Sequence, residues 1–205
     1  MKHVDELQSY IIHRAEEFLN SKGRRLIGWD EILEGGLAPD ATVMSWRGEA
    51  AVFKSARMGH DVIMTPGNYM YFDFYQADPK TQPYAIGGYT PIKKVYSYNP
   101  IPKDSLTAEQ EKHFLGVQAN TWTEYIPNEE HLEYMMFPRA LAVAEIGWTP
   151  QELREWNDFK PRMNAHVALL HKRGINAFPL SDELEVTMQV DTLKKQISVN
   201  LDAEK

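Results

Sequence analysis

The 205-residue chain contains no cysteine. Disulfides, thiol nucleophiles and cysteine-ligated metals are excluded with it. It has no apolar run of about 18 residues, the length at which a membrane-spanning helix becomes a candidate. Phosphate-cradling glycine patterns are missing, since "GGLAPD" and "GGYTPI" lack the spacing of a P-loop or dinucleotide fingerprint. No serine sits in a G-x-S-x-G context. The seven histidines include no H-E-x-x-H, so no metal site is expected of them. Basic excess is absent too. The net charge is -7, acids and bases are interspersed, and neither a nucleic-acid partner nor a charged tail is expected. No export-signal pattern is visible. The chain opens "MKHVDELQSY", straight into a helical pattern, as expected of a cytoplasmic protein or of a piece of a longer one.

What remains is an ordinary globular composition, 43% hydrophobic and 25% charged, with enough chain for one cored domain. "HVDELQSYIIHRAEEFLNSKG" predicts an amphipathic helix, with Val4, Leu7, Ile11, Ala15 and Phe18 on its apolar stripe and Gly23 as its stop. "RLIGW", "TVMSW", "DVIMTP" and "FLGVQANTW" read as short buried strands. "GEAAVFKSARMGH" reads as a helix between the second and third of them, and "SLTAEQEKH" as one before the fourth, with Ser105 as its cap. "NEEHLEYMMFPRALAVAEIGW" predicts a helix kinked near Pro138. "DFKPRMNAHVALLHKRG" predicts the last helix, with Phe159, Met163, Val167 and Leu170 facing inward and Pro161 in its first turn.

From Gly67 to about Lys103 the chain is irregular and rich in Tyr, Pro and Gly. A loop of that length and aromatic content reads as functional rather than disordered. In the tail, "EVTMQV" and "QISVNL" alternate like weak strands. Short apolar strands separated by helices point to a parallel α/β sheet. Half of a (β/α)8 barrel and a small open sheet both fit.

Chemistry-bearing residues cluster at the strand ends, which is where ligands bind in parallel α/β folds. Trp29, Trp46 and Trp122 each close a strand. Tyr71 and Asp73 follow the third, and Glu124 follows the fourth. Indole faces stack on sugar C–H faces and carboxylates accept from hydroxyls, so the set suggests a carbohydrate pocket. The plainer readings stand beside it: a strand-end tryptophan packs into a core, and a lone acid caps a helix or pairs with a base. Trp148 and Trp156, on or beside helices, read as packing residues. Arg139 and Glu145 read as structural.

The motifs "GWDEI", "SWRG", "YFDFYQ", "GVQANTWTEYI" and "FPRALAVAEIGW" closely resemble the β-N-acetylhexosaminidases of glycoside hydrolase family 20. The resemblance implies the second half of a TIM-type barrel, strands five to eight, over residues 1–178. Residues 179–205 are left as a tail, the possible start of a further β segment. It implies retaining removal of terminal N-acetylhexosamine from glycans, with the substrate's own acetamido oxygen as nucleophile. On that carry-over Trp29, Trp46 and Trp122 wall the acetamido pocket and Tyr71 donates its hydroxyl to the acetamido oxygen. Asp73 and Glu124 take the outer sugar hydroxyls. The family's aglycone-side tryptophan has no counterpart here, and Tyr89 in "GGYTP" is expected in its place. No cofactor and no metal are implied. Periplasmic or secreted residence is suggested.

The family's acid and its aspartate lie in an H-x-G-G-D-E motif. Asp5-Glu6, Asp30-Glu31 and Asp182-Glu183 are the only Asp-Glu pairs here, and none follows Gly-Gly. The catalytic pair is therefore expected to be missing, and the chain alone to be inactive. Its expected partners are the missing N-terminal half of the barrel or, through open edges, other copies of itself. A non-catalytic sugar-binding module and a stand-alone glycosidase using Asp30 and Glu31 are the alternatives. On the main reading, Asp30 and Glu31 cap the turn after Trp29 and fix its indole.

Overall fold

A computed structural model describes residues 4–102, 105–180, 185–191 and 196–202. The first helix, α1 (Val4–Ser21), leads into β1 (Ile27–Trp29). A 3-10 turn over Asp30–Leu33 follows, then β2 (Thr42–Ser45), α2 (Glu49–Arg57) and β3 (Val62–Met64). The aromatic segment holds two short helices, α3 (Gly67–Met70) and α4 (Ile92–Tyr96). After α5 (Ala108–Glu111) and β4 (Phe114–Val117) come α6 (Glu129–Met136), α7 (Arg139–Trp148) and α8 (Trp156–Lys172). Strands β5 (Glu185–Asp191) and β6 (Gln196–Asp202) form a separate antiparallel pair.

The first four strands make one parallel sheet in chain order, β1-β2-β3-β4. The connections between successive strands are long enough to return the chain for adjacent parallel pairing, the favoured arrangement for such crossovers. Cross-strand register puts Val43 beside Val62 and Ser45 beside Met64. All four are buried, and the apolar three join Val52, Ala56, Val95, Ala142, Ile146, Phe159 and Met163 in one core beneath α2, α4, α7 and α8. Full burial of a side chain such as Val43 stabilises by about 1.5–3 kcal/mol. Register places Trp29, Met44 and Ile63 together on the opposite face. That face is poorly covered: Met44 and Ile63 are half-buried, and Ile27, two residues before Trp29, is 53% exposed.

The β3–β4 register shifts between Val62 and Ile63, and Gly116 adopts φ +143° opposite the shift. Side chains other than hydrogen avoid that conformation, so glycine permits the bulge. Beyond it the two chains stay linked: Phe72 N–H donates to the Asn120 carbonyl at 2.7 Å, and Asn120 N–H to Met70 at 2.8 Å.

Several expectations need correction. The apolar stripe of α1 does not face the core: Leu7, Ile11 and Phe18 are exposed, Phe18 to 62%. The polar residues dock instead, with Ser9 donating to the Gly36 carbonyl (2.9 Å) and Glu16 accepting from Asp40 N–H (2.8 Å). The Val4 side chain and the Asp182-Glu183 pair lie outside the described residues. Thr107, not Ser105, caps α5, in a reciprocal capping box with Gln110. The helix expected to kink at Pro138 is two helices, because proline offers no N–H to continue the ladder. Helix α8 starts at Trp156, so Pro161 lies inside it rather than in its first turn. Trp148 is 90% exposed and does not pack. Trp156 does pack, on Tyr96 and Phe159.

Candidate active site

Four predicted residues converge on one cavity of about 520 Å³ that runs along β1 to the C-terminal ends of the strands: Trp29, Trp46, Tyr71 and Trp122, with Ile12, Leu26, Ile27 and Ile32 as its aliphatic side. Each arrives by a different local device. Trp29 is the last residue of β1, fixed by the 3-10 turn behind it. Gly28 leaves the space that the Ile32 side chain fills, where a Cβ would come within 2.7 Å. Trp46 follows β2. Tyr71 follows α3 and is bridged to Asn120 across the extension of β3 and β4, which also sets Trp122 two residues further on.

The rings brace one another. Trp29 and Trp122 centroids are 5.8 Å apart, Tyr71 and Trp122 meet edge-on at 6.2 Å, and Trp46 stacks on Tyr71 at 6.3 Å. These are the separations at which aromatic pairs attract. Burial raises the Tyr71 pKa, the Trp122 indole N–H opposes this, and Asp73, Glu31 and Asp30 add to the rise. The phenol is thus held as a proton donor.

Asp73 and Glu124 lie in an adjoining crevice that shares Trp122 with the cavity, is walled by Tyr84, Tyr125, His131 and Met135, and is too tight in this conformation to admit a water molecule. Asp73 is 6% exposed, and its Oδ1 is buried without a hydrogen-bond partner among the described residues. Burial raises its pKa, backbone N–H groups of Asp73 and Trp122 lower it, Glu124 raises it and Arg139 lowers it. A buried carboxylate oxygen with no donor is an unmet acceptor, and the closed packing around it leaves a ligand hydroxyl no room in this conformation. Tyr89 lines neither cavity. It bridges to Tyr75 at the edge of the aromatic segment.

Asp30 and Glu31 are engaged elsewhere. Asp30 is fully buried, accepting from Arg47 Nε at 2.6 Å and Arg47 N–H at 3.2 Å, with the Ser45 hydroxyl 3.3 Å away. Glu31 accepts the Trp46 indole N–H at 2.9 and 3.1 Å. The pair was expected to cap its own turn and hold Trp29. Asp30 accepts from Arg47 and Ser45 rather than from the N–H groups of its own turn, and the indole that Glu31 holds is that of Trp46.

Arg139 does more than its sequence context suggested. It is fully buried beneath the segment that carries Tyr71 and Asp73. Its guanidinium donates to the carbonyls of Phe72 (2.5 Å), Phe74 (3.0 Å), Thr90 (3.1 Å) and Met135 (3.1 Å), and to the Thr90 hydroxyl (2.8 Å). It also lies 4.6 Å over the Phe72 ring. Burial pushes its pKa down to about 9, against the pull of Asp73. Glu145, also read as structural, pairs with Arg162 at 2.7 Å.

The family model for the glycosyl hydrolase family 20 catalytic domain matches residues 1–151. The chain belongs to glycoside hydrolase family 20. A β-hexosaminidase of Porphyromonas gingivalis is 53% identical over 177 residues, 86% of this chain and 23% of that protein. One of Vibrio furnissii is 35% identical over 69% of this chain and 24% of its own length. Among solved members, the exo-β-N-acetylglucosaminidase of Vibrio harveyi in complex with N-acetylglucosamine superposes with a TM-score of 0.77 at 32% identity, over 86% of this chain and 28% of that one. The Streptomyces plicatus N-acetyl-β-hexosaminidase gives 0.73 at 26% identity, over 83% and 35%. This family 20 chain spans about a quarter of the length of the curated relatives named here.

Proposed function

We propose that the chain supplies the acetamido- and hydroxyl-binding part of a retaining exo-β-N-acetylhexosaminidase site, acting on N-acetylhexosamine-terminated glycans. The observation that carries this is the convergence of Trp29, Trp46, Tyr71 and Trp122 on one cavity, with the closed Asp73–Glu124 crevice sharing its Trp122 wall. The rings would enclose the acetamido methyl, and the Tyr71 hydroxyl would donate to the acetamido oxygen. That bond strengthens as the oxygen attacks the anomeric carbon, so it favours the transition state over the ground state. Asp73 and Glu124 would accept from the outer hydroxyls of the same sugar ring once the side chains that close their crevice move aside.

Residues 1–178 correspond in this reading to strands five to eight of a TIM-type barrel, and 179–205 to the start of a further β segment. Two observations support it. A parallel sheet is normally covered on both faces, and here the Ile27 side is poorly covered. β5 and β6 pair as a sheet of their own. The Asp-Glu catalytic pair lies outside this chain in the same reading, and the remaining barrel strands are its natural partner.

The test is turnover of a chromogenic N-acetylglucosaminide. No turnover above background is expected from the chain alone. Clear turnover that disappears in Glu31→Gln would overturn the reading and favour a stand-alone glycosidase. The engagement of Asp30 and Glu31 with Arg47 and Trp46 argues against that alternative.

A further inference from the structure

The crevice beside Trp122 holds two polar atoms that the fold leaves unmet. Asp73 Oδ1 and His131 Nε2 are both buried with no hydrogen-bond partner among the described residues, and both residues line this crevice. An unpaired buried donor or acceptor is costly, and each such group calls for an explanation. His131 reaches the crevice from the first turn of α6. Asn128 Oδ1 accepts its backbone N–H at 2.9 Å, which fixes that turn. The same helix is tied to the segment that carries Asp73: Gln76 donates to the Tyr134 carbonyl and the Tyr134 hydroxyl donates to Gln82, each at 2.7 Å. The two walls therefore keep their spacing. The outer face of the crevice is different. It includes the edge-on ring pair Tyr84 and Tyr125, with centroids 5.1 Å apart and Tyr84 69% exposed.

The chemistry of the pair narrows what can complete it. Burial lowers the His131 pKa, so the imidazole is neutral at pH 7. Glu124 adds a second carboxylate to the crevice. Arg139, whose charge acts on Asp73, is turned to the carbonyls of Phe72 and Phe74 and does not line it. A hydroxyl can donate its proton to Asp73 Oδ1 and accept from the imidazole N–H at once. A C–H leaves both atoms unmet. A sulfate or phosphate ester brings no proton for the carboxylate and is repelled by both acids. We propose that His131 is a specificity-determining residue: with Asp73 it reads one outer hydroxyl of the bound sugar and requires that hydroxyl to be free. The inference rests on the sugar-binding reading of the site and adds the residue that separates accepted sugars from rejected ones. Entry requires the crevice to open, and an exposed ring such as Tyr84 reorients readily. Swinging it outward leaves both walls in place.

The experiment titrates N-acetylglucosamine, its 4-deoxy and 6-deoxy analogues and acetamide into the full chain at neutral pH, followed through the indole N–H resonances. One deoxy sugar is expected to half-saturate at a concentration at least about ten-fold above N-acetylglucosamine, since it loses a hydrogen bond to a charged group and a neutral one together. His131→Leu removes the neutral one. N-acetylglucosamine should then weaken about five-fold, while that deoxy sugar and acetamide bind as in the parent. His131→Gln, which keeps a side-chain N–H, should fall between the two. The sulfate ester of the hydroxyl so identified should bind no better than the deoxy sugar. Equal weakening of every ligand in His131→Leu would make the histidine a packing residue and overturn the inference. Equal binding of the three sugars in the parent, a gap unchanged in His131→Leu, or a sulfate ester held as tightly as the free sugar would overturn it too. Acetamide bound with no gain for the sugar overturns it and leaves the acetamido reading standing. Binding of neither sugar nor acetamide overturns both.

Discussion

The carboxylate of Glu31, on the turn after β1, holds the indole N–H of Trp46, from the end of β2, at 2.9 and 3.1 Å. Gln8 of α1 in turn donates to the Glu31 carbonyl at 3.0 Å. One wall of the cavity is thus set by a residue whose own backbone is tied to the first helix. Trp46 is 36% exposed, so the bond is partly screened and contributes about 1 kcal/mol. Glu31→Ala should leave Trp46 freer to move. The expected readout is stronger acrylamide quenching of tryptophan fluorescence, with about five-fold weaker binding of N-acetyl ligands. Quenching identical to the parent would mean that Glu31 does not position the ring.

Arg139 clamps the segment that carries Tyr71 and Asp73. Arg139→Met leaves the buried carbonyls of Phe72, Phe74, Thr90 and Met135 without this donor, at about 1–3 kcal/mol for each that finds no other. A total loss of about 3–5 kcal/mol is expected, at the upper end for single substitutions. Arg139→Lys should recover little, since an ammonium cannot reproduce the planar fork. Denaturant midpoints check this, and a midpoint within error of the parent's would contradict it.

Asp73 illustrates a site residue that costs stability. Its folded pKa is raised, chiefly by burial, so the folded state holds the proton to higher pH than the unfolded chain does. The contribution runs against the native state above that raised value and fades as pH falls through it. Asp73→Asn should therefore melt at an equal or higher temperature at neutral pH while losing affinity for the sugar. A clear fall in Tm would show that the carboxylate is a structural partner. In the parent, sugar affinity should decline with acid at a higher pH than an ordinary carboxylate would dictate.

Exposed apolar side chains on α1 (Leu7, Ile11, Phe18), β1 (Ile27) and β4 (Leu115) flank a sheet whose outer strands, β1 and β4, end the hydrogen-bonded order. Open edges and uncovered apolar faces drive association. Copies of this chain should self-associate, with sedimentation coefficients that rise with concentration and fall back in Ile27→Lys. A strictly monomeric parent would count against this.

Much of the fold was legible because short apolar strands and amphipathic helices carry periodic signals. The four strands and the sites of α1, α2 and α8 could be read that way. The orientation of α1 could not. Its apolar stripe predicts burial, but Ser9 and Glu16 find backbone partners in the loop after β1 while the stripe stays in solvent. The segment around Tyr71 has no periodicity, since its order comes from the Arg139 guanidinium and the Asn120 bridge, both distant in sequence. Trp29, Trp46, Trp122 and Tyr71 were legible as strand-end aromatics. Glu31 and His131 were not recognisable as cavity walls, because nothing local indicates that a carboxylate will face three indoles or that an imidazole will close the Asp73 crevice. Asp30 and Glu31 looked like a catalytic pair only because adjacency in sequence is visible and the engagement of Arg47 and Trp46 is not.

The most direct test compares N-acetylglucosamine with glucose, which has a hydroxyl in place of the acetamido group. Each is titrated into the full chain while the indole N–H resonances of Trp29, Trp46 and Trp122 are followed. An acetamido pocket predicts saturable shifts at all three for N-acetylglucosamine and little change for glucose, with the response lost in Tyr71→Phe. Equal responses to the two sugars, or none at any attainable concentration, would contradict it.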